Sequence, residues 1–254
     1  LTLHGCSALT DLDDLATLSR LTHLDLSFCT ALTHVNGLAR LSHLTSLSLR
    51  ECHSLADLSG LRDLRELTSL DLYFCKALTD TTALSQLHKL TSLNLSFCAK
   101  MESINGLSGL SSLEKLDLVS CRLLTNVDAL AGMTQLEVLN LYRLPITNSG
   151  LAKLQGLKNL SEIDLRYTSV TPNGVEALKA AIPGIRVRYV GASAPKAPKP
   201  GTAQPAAQTD EAIAAWVRAL GGKAELVNGK VAIVSLASTG SSDAQLGYLA
   251  ALKE

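Results

Sequence analysis

The chain has 254 residues, 46% of them hydrophobic but only 4% aromatic, with a mean hydropathy of +0.21. It can bury a substantial core in one large domain or two small ones, and leucine rather than aromatic rings must supply that core. Lys plus Arg and Asp plus Glu both number 23, so no net field draws in nucleic acid or an anionic membrane, and no apolar run reaches the ~20 residues that span a bilayer.

In chain order, the first feature is an internal repeat. Cys6, Cys29, Cys52, Cys75, Cys98 and Cys121 are spaced 23 residues apart. The pattern L-x-x-L-x-L-x-x-C leads into five of them: LTHLDLSFC from Leu21, LTSLSLREC from Leu44, LTSLDLYFC from Leu67, LTSLNLSFC from Leu90 and LEKLDLVSC from Leu113. The opening LTLHGC is the same motif begun part-way through, so the chain reads as a piece of a longer protein. The series continues as LEVLNLYRL from Leu136 and LSEIDLRYT from Leu160, with Leu144 and Thr168 in place of the thiol.

These motifs resemble the leucine-rich-repeat family in its cysteine-containing form, and the resemblance covers residues 1–190. It implies an α/β solenoid, a right-handed coil with a parallel concave sheet and short helices on its convex side. The local chemistry agrees. The L-x-L core alternates at period two, as a strand with one buried face does. Asp13, Asn36, Ser59, Thr82, Asn105 and Asp128 form a column of residues suited to cap a helix N-terminus, with Thr147 and Thr171 the expected caps of the last two units. Pro172 follows at the favoured first helical position. Apolar residues three apart, such as Leu15, Leu18 and Leu21, then give a one-to-two-turn helix facing inward.

The cysteines admit three readings. Disulfides suit small secreted domains without a core; a zinc site needs ligands converging on one point, whereas this period spreads them along a line. The third reading makes each thiol a small buried hydrophobe and weak donor to the turn backbone. The family resemblance implies an internal ladder of that kind. Unpaired thiols in such number point to a reducing, cytoplasmic setting.

Functional content is expected on the outward columns of the concave face. Asp25, Ser48, Asp71, Asn94, Asp117, Asn140 and Asp164 make a polar column that solvation of an exposed strand would also explain. The next two columns read Ser27, Arg50, Tyr73, Ser96, Val119, Tyr142, Arg166 and Phe28, Glu51, Phe74, Phe97, Ser120, Arg143, Tyr167. Aromatics and arginine are enriched at interface hot spots. The candidate partner-binding edge is therefore Arg50, Tyr73, Phe74, Phe97, Asp117, Tyr142, Arg143, Arg166 and Tyr167; the competing reading packs the phenylalanines into the turns.

The six histidines (His4, His23, His34, His43, His53, His88) are scattered, and no nucleophile elbow or phosphate-binding loop appears. The expectation is no enzyme, no cofactor and no metal.

Beyond the repeats, residues 191–208 form a Pro/Ala-rich linker. Residues 209–254 read as the N-terminal cap and first turn of a second, truncated array: a helix capped by Thr209 carrying Ile213, Trp216, Val217 and Leu220, a hairpin about Asn228-Gly229, then a stretch from Leu236 aligning with the repeat. A lone turn cannot bury its own face, so this part is expected to be incomplete or poorly ordered.

The expected function is a non-catalytic recognition module that binds a protein or peptide, neither nucleic acid nor membrane. The alternative is a scaffold or sensor segment of a larger signalling, defence or effector protein. The helix starts TNSGL at Thr147 and TPNGV at Thr171 are similar to those of bacterial repeats.

Overall fold

The computed structural model describes residues 1–190, 209–219 and 223–235, together with residues 205, 207 and 249. They divide into two units near Gly191.

In the first unit the period-two L-x-L segments form eight three-residue strands: β1 His23–Asp25, β2 Ser46–Ser48, β3 Ser69–Asp71, β4 Ser92–Asn94, β5 Lys115–Asp117, β6 Val138–Asn140, β7 Glu162–Asp164 and β8 Arg186–Arg188. They make one parallel sheet in chain order. The repeat period sets the register: Leu24 pairs with Leu47, Leu47 with Leu70 and Leu70 with Leu93. After β6 the step lengthens by one residue, and Leu139 pairs with Ile163 and Ile163 with Val187. The leucines of each motif line one continuous core, where Leu26, Leu49, Leu72, Leu95, Leu118 and Leu141 are fully buried. Burying each such side chain contributes on the order of 2 kcal/mol. Leu18, in the first coil, departs from its expected inward place and is 43% exposed.

Two side-chain ladders tie the coils together. Each buried thiol donates to a carbonyl of the preceding coil: Cys52 to Leu26 O at 3.3 Å, Cys75 to Leu49 O at 3.1 Å, Cys98 to Leu72 O at 3.4 Å and Cys121 to Leu95 O at 3.1 Å. The same carbonyls accept an amide of their own turn, as when Leu49 O takes Cys52 N–H at 3.3 Å, so both lone pairs are used. The thiol thus bridges neighbouring coils rather than serving only its own turn. A second ladder runs through threonine: Thr45, Thr68 and Thr91 each donate a hydroxyl to the carbonyl 23 residues earlier.

On the return side, the first six units carry short 3-10 helices: Asp13–Thr17, Asn36–Leu38, Ser59–Leu61, Thr82–Leu84, Asn105–Leu107 and Asp128–Leu130. The expected capping column is wrong by position. Asp13, Ser59, Thr82, Asn105 and Asp128 are the first helical residues, and none caps through its side chain. The acceptor sits two residues earlier: Asp11, Asp57, Asp80, Ser103 and Asn126 take those residues' amides at 2.7–3.2 Å. A helix of one tight turn has no room for an N-cap to reach N2 or N3, so an Asx-type turn replaces it. The last two units form α-helices, α1 Asn148–Ala152 and α2 Pro172–Ala181, and there Thr147 and Thr171 hold the N-cap position, although neither caps through its side chain; their hydroxyls pair with Ser149 and Asn148 instead.

The second unit contains helix α3 Asp210–Ala219 and the antiparallel strands β9 Lys223–Val227 and β10 Lys230–Ser235. Asn228 and Gly229 join the strands with φ of 53° and 77°, the two positive angles of a type I′ turn. The Thr209 hydroxyl accepts the Ala212 amide at 3.3 Å, capping α3. Ile213, Ala214, Trp216, Val217 and Ala224 form a buried cluster of their own, so this unit has a core. The stretch from Leu236 that aligns with the repeat lies outside the described residues, apart from Leu249.

Candidate functional site

Immediately after each strand the chain turns through Leu-x-x-Cys, closed by a bond from the Cys amide to the Leu carbonyl, as Cys29 N–H to Leu26 O at 3.2 Å. The third residue of that turn is left-handed in every unit. Gly5 has φ 75°, and Phe28, Glu51, Phe74, Phe97, Ser120, Arg143 and Tyr167 follow with φ between 56° and 63°. Positive φ at this place is the mark of a type II turn, where glycine is favoured. A side chain there costs roughly 1–2 kcal/mol. Surrounding bonds hold the conformation. In the third full unit Asp71 accepts Tyr73 N–H at 2.9 Å, Phe74 N–H reaches Ser96 O at 2.8 Å and Cys75 N–H returns to Leu72 O at 3.2 Å.

The polar strand column therefore has a structural task beyond solvation. Asp25, Asp71, Asn94, Asn140 and Asp164 each accept the amide two residues on, at 2.9–3.2 Å. Burial works against the Asp25 carboxylate, yet bonds from the Ser27 hydroxyl and amide hold its pKa below the ordinary value. The next two columns are not uniformly outward, since Ser27, Ser96 and Ser120 are buried.

Phe28 pairs with His4 at 4.9 Å, and four of the other corner residues gather with their neighbours into two groups. In the first, Phe74 and Phe97 stand 5.9 Å apart between ring centroids, and Tyr73 lies 5.4 Å from Phe97, both pairs edge-on. Arg50 lies 4.4 Å over the Tyr73 ring while its guanidinium pairs with Asp71 at 2.9 Å. Two residues that the sequence reading missed complete this group. Lys76 sits 4.3 Å over Phe74, and His53 meets the Phe74 edge at 5.3 Å. Both follow a ladder cysteine directly, one place beyond the strand and corner columns.

In the second group Tyr142 and Tyr167 are 5.2 Å apart. Arg143 lies within 5.6 Å of both rings, and Arg166 is 5.2 Å from Tyr142. Arg166 also grips the buried Asp164 through Nε and Nη2, the latter at 2.6 Å. Tyr167 is 59% exposed and Arg143 is exposed too. Phe74 and Phe97 are half-buried, so the packing reading of that column holds in part. Asp117 touches neither group.

No family model and no curated protein matches the chain. Among solved structures, it is similar to internalin C2 from Listeria monocytogenes, with TM-score 0.58 and 21% identity over 75% of this chain and 91% of that one. It is also similar to TLR13 in a complex with the single-stranded RNA ssRNA13, with TM-score 0.59 and 29% identity over 71% of this chain. The match spans 26% of the TLR13 chain. By fold, this is a leucine-rich-repeat protein. The leucine-rich-repeat unit ends with β8, whose Arg186 and Arg188 both pair with Glu162, at 3.0 and 2.8 Å. Among the described residues no helix is long and apolar enough to cross a membrane.

Proposed function

We propose that the repeat unit is a non-catalytic recognition module whose corner edge binds a protein or peptide. The observation that carries this reading is the run of seven left-handed corners occupied by side chains, aromatic or charged at six of them. Glycine would relieve the strain at each, and Gly5 shows that the coil accepts it. Residues kept in strained conformations cluster where a surface has work to do. The two ring groups, each with two cations stacked on its rings, supply the anchors that interface energetics favours. The acidic strand column opposes a polyanion, so a protein ligand is favoured over the kind of RNA that the TLR13 complex contains. A second unit with its own buried cluster is compatible with the wider reading, a scaffold or sensor segment of a larger signalling, defence or effector protein. Thiols that serve as bond donors suit a reducing, cytoplasmic compartment.

Selection of a displayed random 12-residue peptide library on the protein tests the edge. Tyr73→Ala, Tyr142→Ala and Arg143→Ala together should weaken the selected peptides at least about tenfold, while the melting temperature moves by only a few degrees. Arg166 is left intact because it compensates the buried Asp164. Peptides that bind the triple variant as tightly as the parent would move the site elsewhere.

A further inference from the structure

The gap between the two ring groups is the fifth strand's rung, and its chemistry differs from every other rung. Three of the four aspartates in the polar column accept the amide two residues on, and two of these also hold an arginine. Asp25 holds the Ser27 amide, Asp71 the Tyr73 amide and Arg50, and Asp164 the Arg166 amide and guanidinium. Asp117 accepts no bond from the Val119 amide and pairs with no cation, although it is half-buried. The Asn140 side chain is its one stabilising neighbour, outweighed by burial, and with the like charge of Asp71 the result is a carboxyl pKa above the ordinary value. Just past it, Val119 and Ser120 stand where adjacent coils carry Phe97, Tyr142 and Arg143. The Ser120 hydroxyl is buried and has no hydrogen-bond partner. The side chains on this rung are thus smaller than the ring and guanidinium side chains on either side, with rungs about 4.8 Å apart.

We infer that this rung receives a lysine or arginine side chain of an extended partner segment, with its cation on the Asp117 carboxylate and its stem between Phe97 and Tyr142. The inference rests on the binding reading above and names the chemistry at its centre. A half-buried carboxylate without a counter-ion is costly, and a partner cation relieves that cost. The protein's own cations do not fill the place. Arg50 and Arg166 are committed to Asp71 and Asp164, Arg143 lies over Tyr142 and Tyr167, and Lys115 on the same strand makes no ion pair. Asn94 and Asn140 occupy the equivalent place on adjacent strands, so Asp117→Asn is compatible with the fold.

The same 12-residue library, selected on the parent and on Asp117→Asn, tests this. Peptides selected on the parent should share a lysine or arginine at a fixed position, and a synthetic copy should bind Asp117→Asn about tenfold more weakly. Changing that basic residue to glutamine should give the same loss, and the double change no further loss, as expected of two groups in contact. Selected peptides without a shared basic residue, or equal affinity for the two proteins, would overturn the inference. If those peptides still depend on Tyr73 and Tyr142, the binding edge stands and only the Asp117 role falls. If no selected peptide depends on either, both fall.

Discussion

A left-handed residue that carries a side chain is held there by its surroundings. At Arg143, whose φ is 61°, the amide bonds to Arg166 O at 3.0 Å and the next amide returns to Leu141 O at 3.1 Å. The guanidinium itself contributes only exposed ring contacts. Arg143→Gly should therefore stabilise the protein, because relief of roughly 1–2 kcal/mol of strain outweighs the 0.5–1 kcal/mol of added chain entropy. A raised denaturant midpoint with weakened peptide binding is the expected pair of results; a lowered midpoint would show that the corner is unstrained. The identities of the corner residues were legible from the sequence, since the 23-residue period aligns them in one column. Their conformation was not, because φ follows from the backbone bonds of the corner, present even at Glu51 and Ser120 where the strand-column side chain makes none, rather than from the side chain present. Gly5, at the head of the column, is the one residue that hinted at it.

The short helices show how an element can be located correctly and explained wrongly. Apolar spacing placed them, but the polar column at Asp13, Ser59 and Asp128 was assigned the role of its neighbours two residues upstream. The 3-10 turn is too short for the capping geometry of an α-helix, and nothing in composition separates the two cases. At α1 and α2 the position is right, since Thr147 and Thr171 are the N-cap residues, but neither caps through its side chain. Bonds from the Ser59 amide and hydroxyl hold the Asp57 carboxyl below its ordinary pKa. Its contribution is therefore present above about pH 4 and is lost as pH falls through the lower folded value. Asp57→Ala should cost about 1 kcal/mol at neutral pH, and Ser59→Ala less, because the Ser59 amide survives the change. Urea midpoints of the two variants decide it; an equal or larger loss in Ser59→Ala would restore the original assignment.

For the molecule as a whole, the cysteine period that revealed the fold also fixes how it responds to base. Burial pushes the Cys52 and Cys121 thiols up to about 12 and raises Cys29, Cys75 and Cys98 as well. In the unfolded chain these thiols ionise near the ordinary value of 9.0. Stability is intact below pH 9 and is lost as pH rises through the folded values. Each such thiol removes about 1.4 kcal/mol per pH unit within that window. Cys121→Ala should make the fall in urea midpoint between pH 9 and pH 11 shallower than in the parent, whose tyrosines and lysines contribute equally to both; an unchanged slope would mean the ladder thiols are not buried. The second unit was legible only in part: α3 and the hairpin carry strong local signals, whereas its small core depends on packing between them. One consequence of the left-handed corners concerns how such a surface changes over generations. Backbone bonds, not side-chain packing, aim each corner, so one position can be exchanged without re-aiming the next. Specificity can then drift one rung at a time, and duplication of a coil adds a ready-oriented contact, while the leucine interior stays untouched.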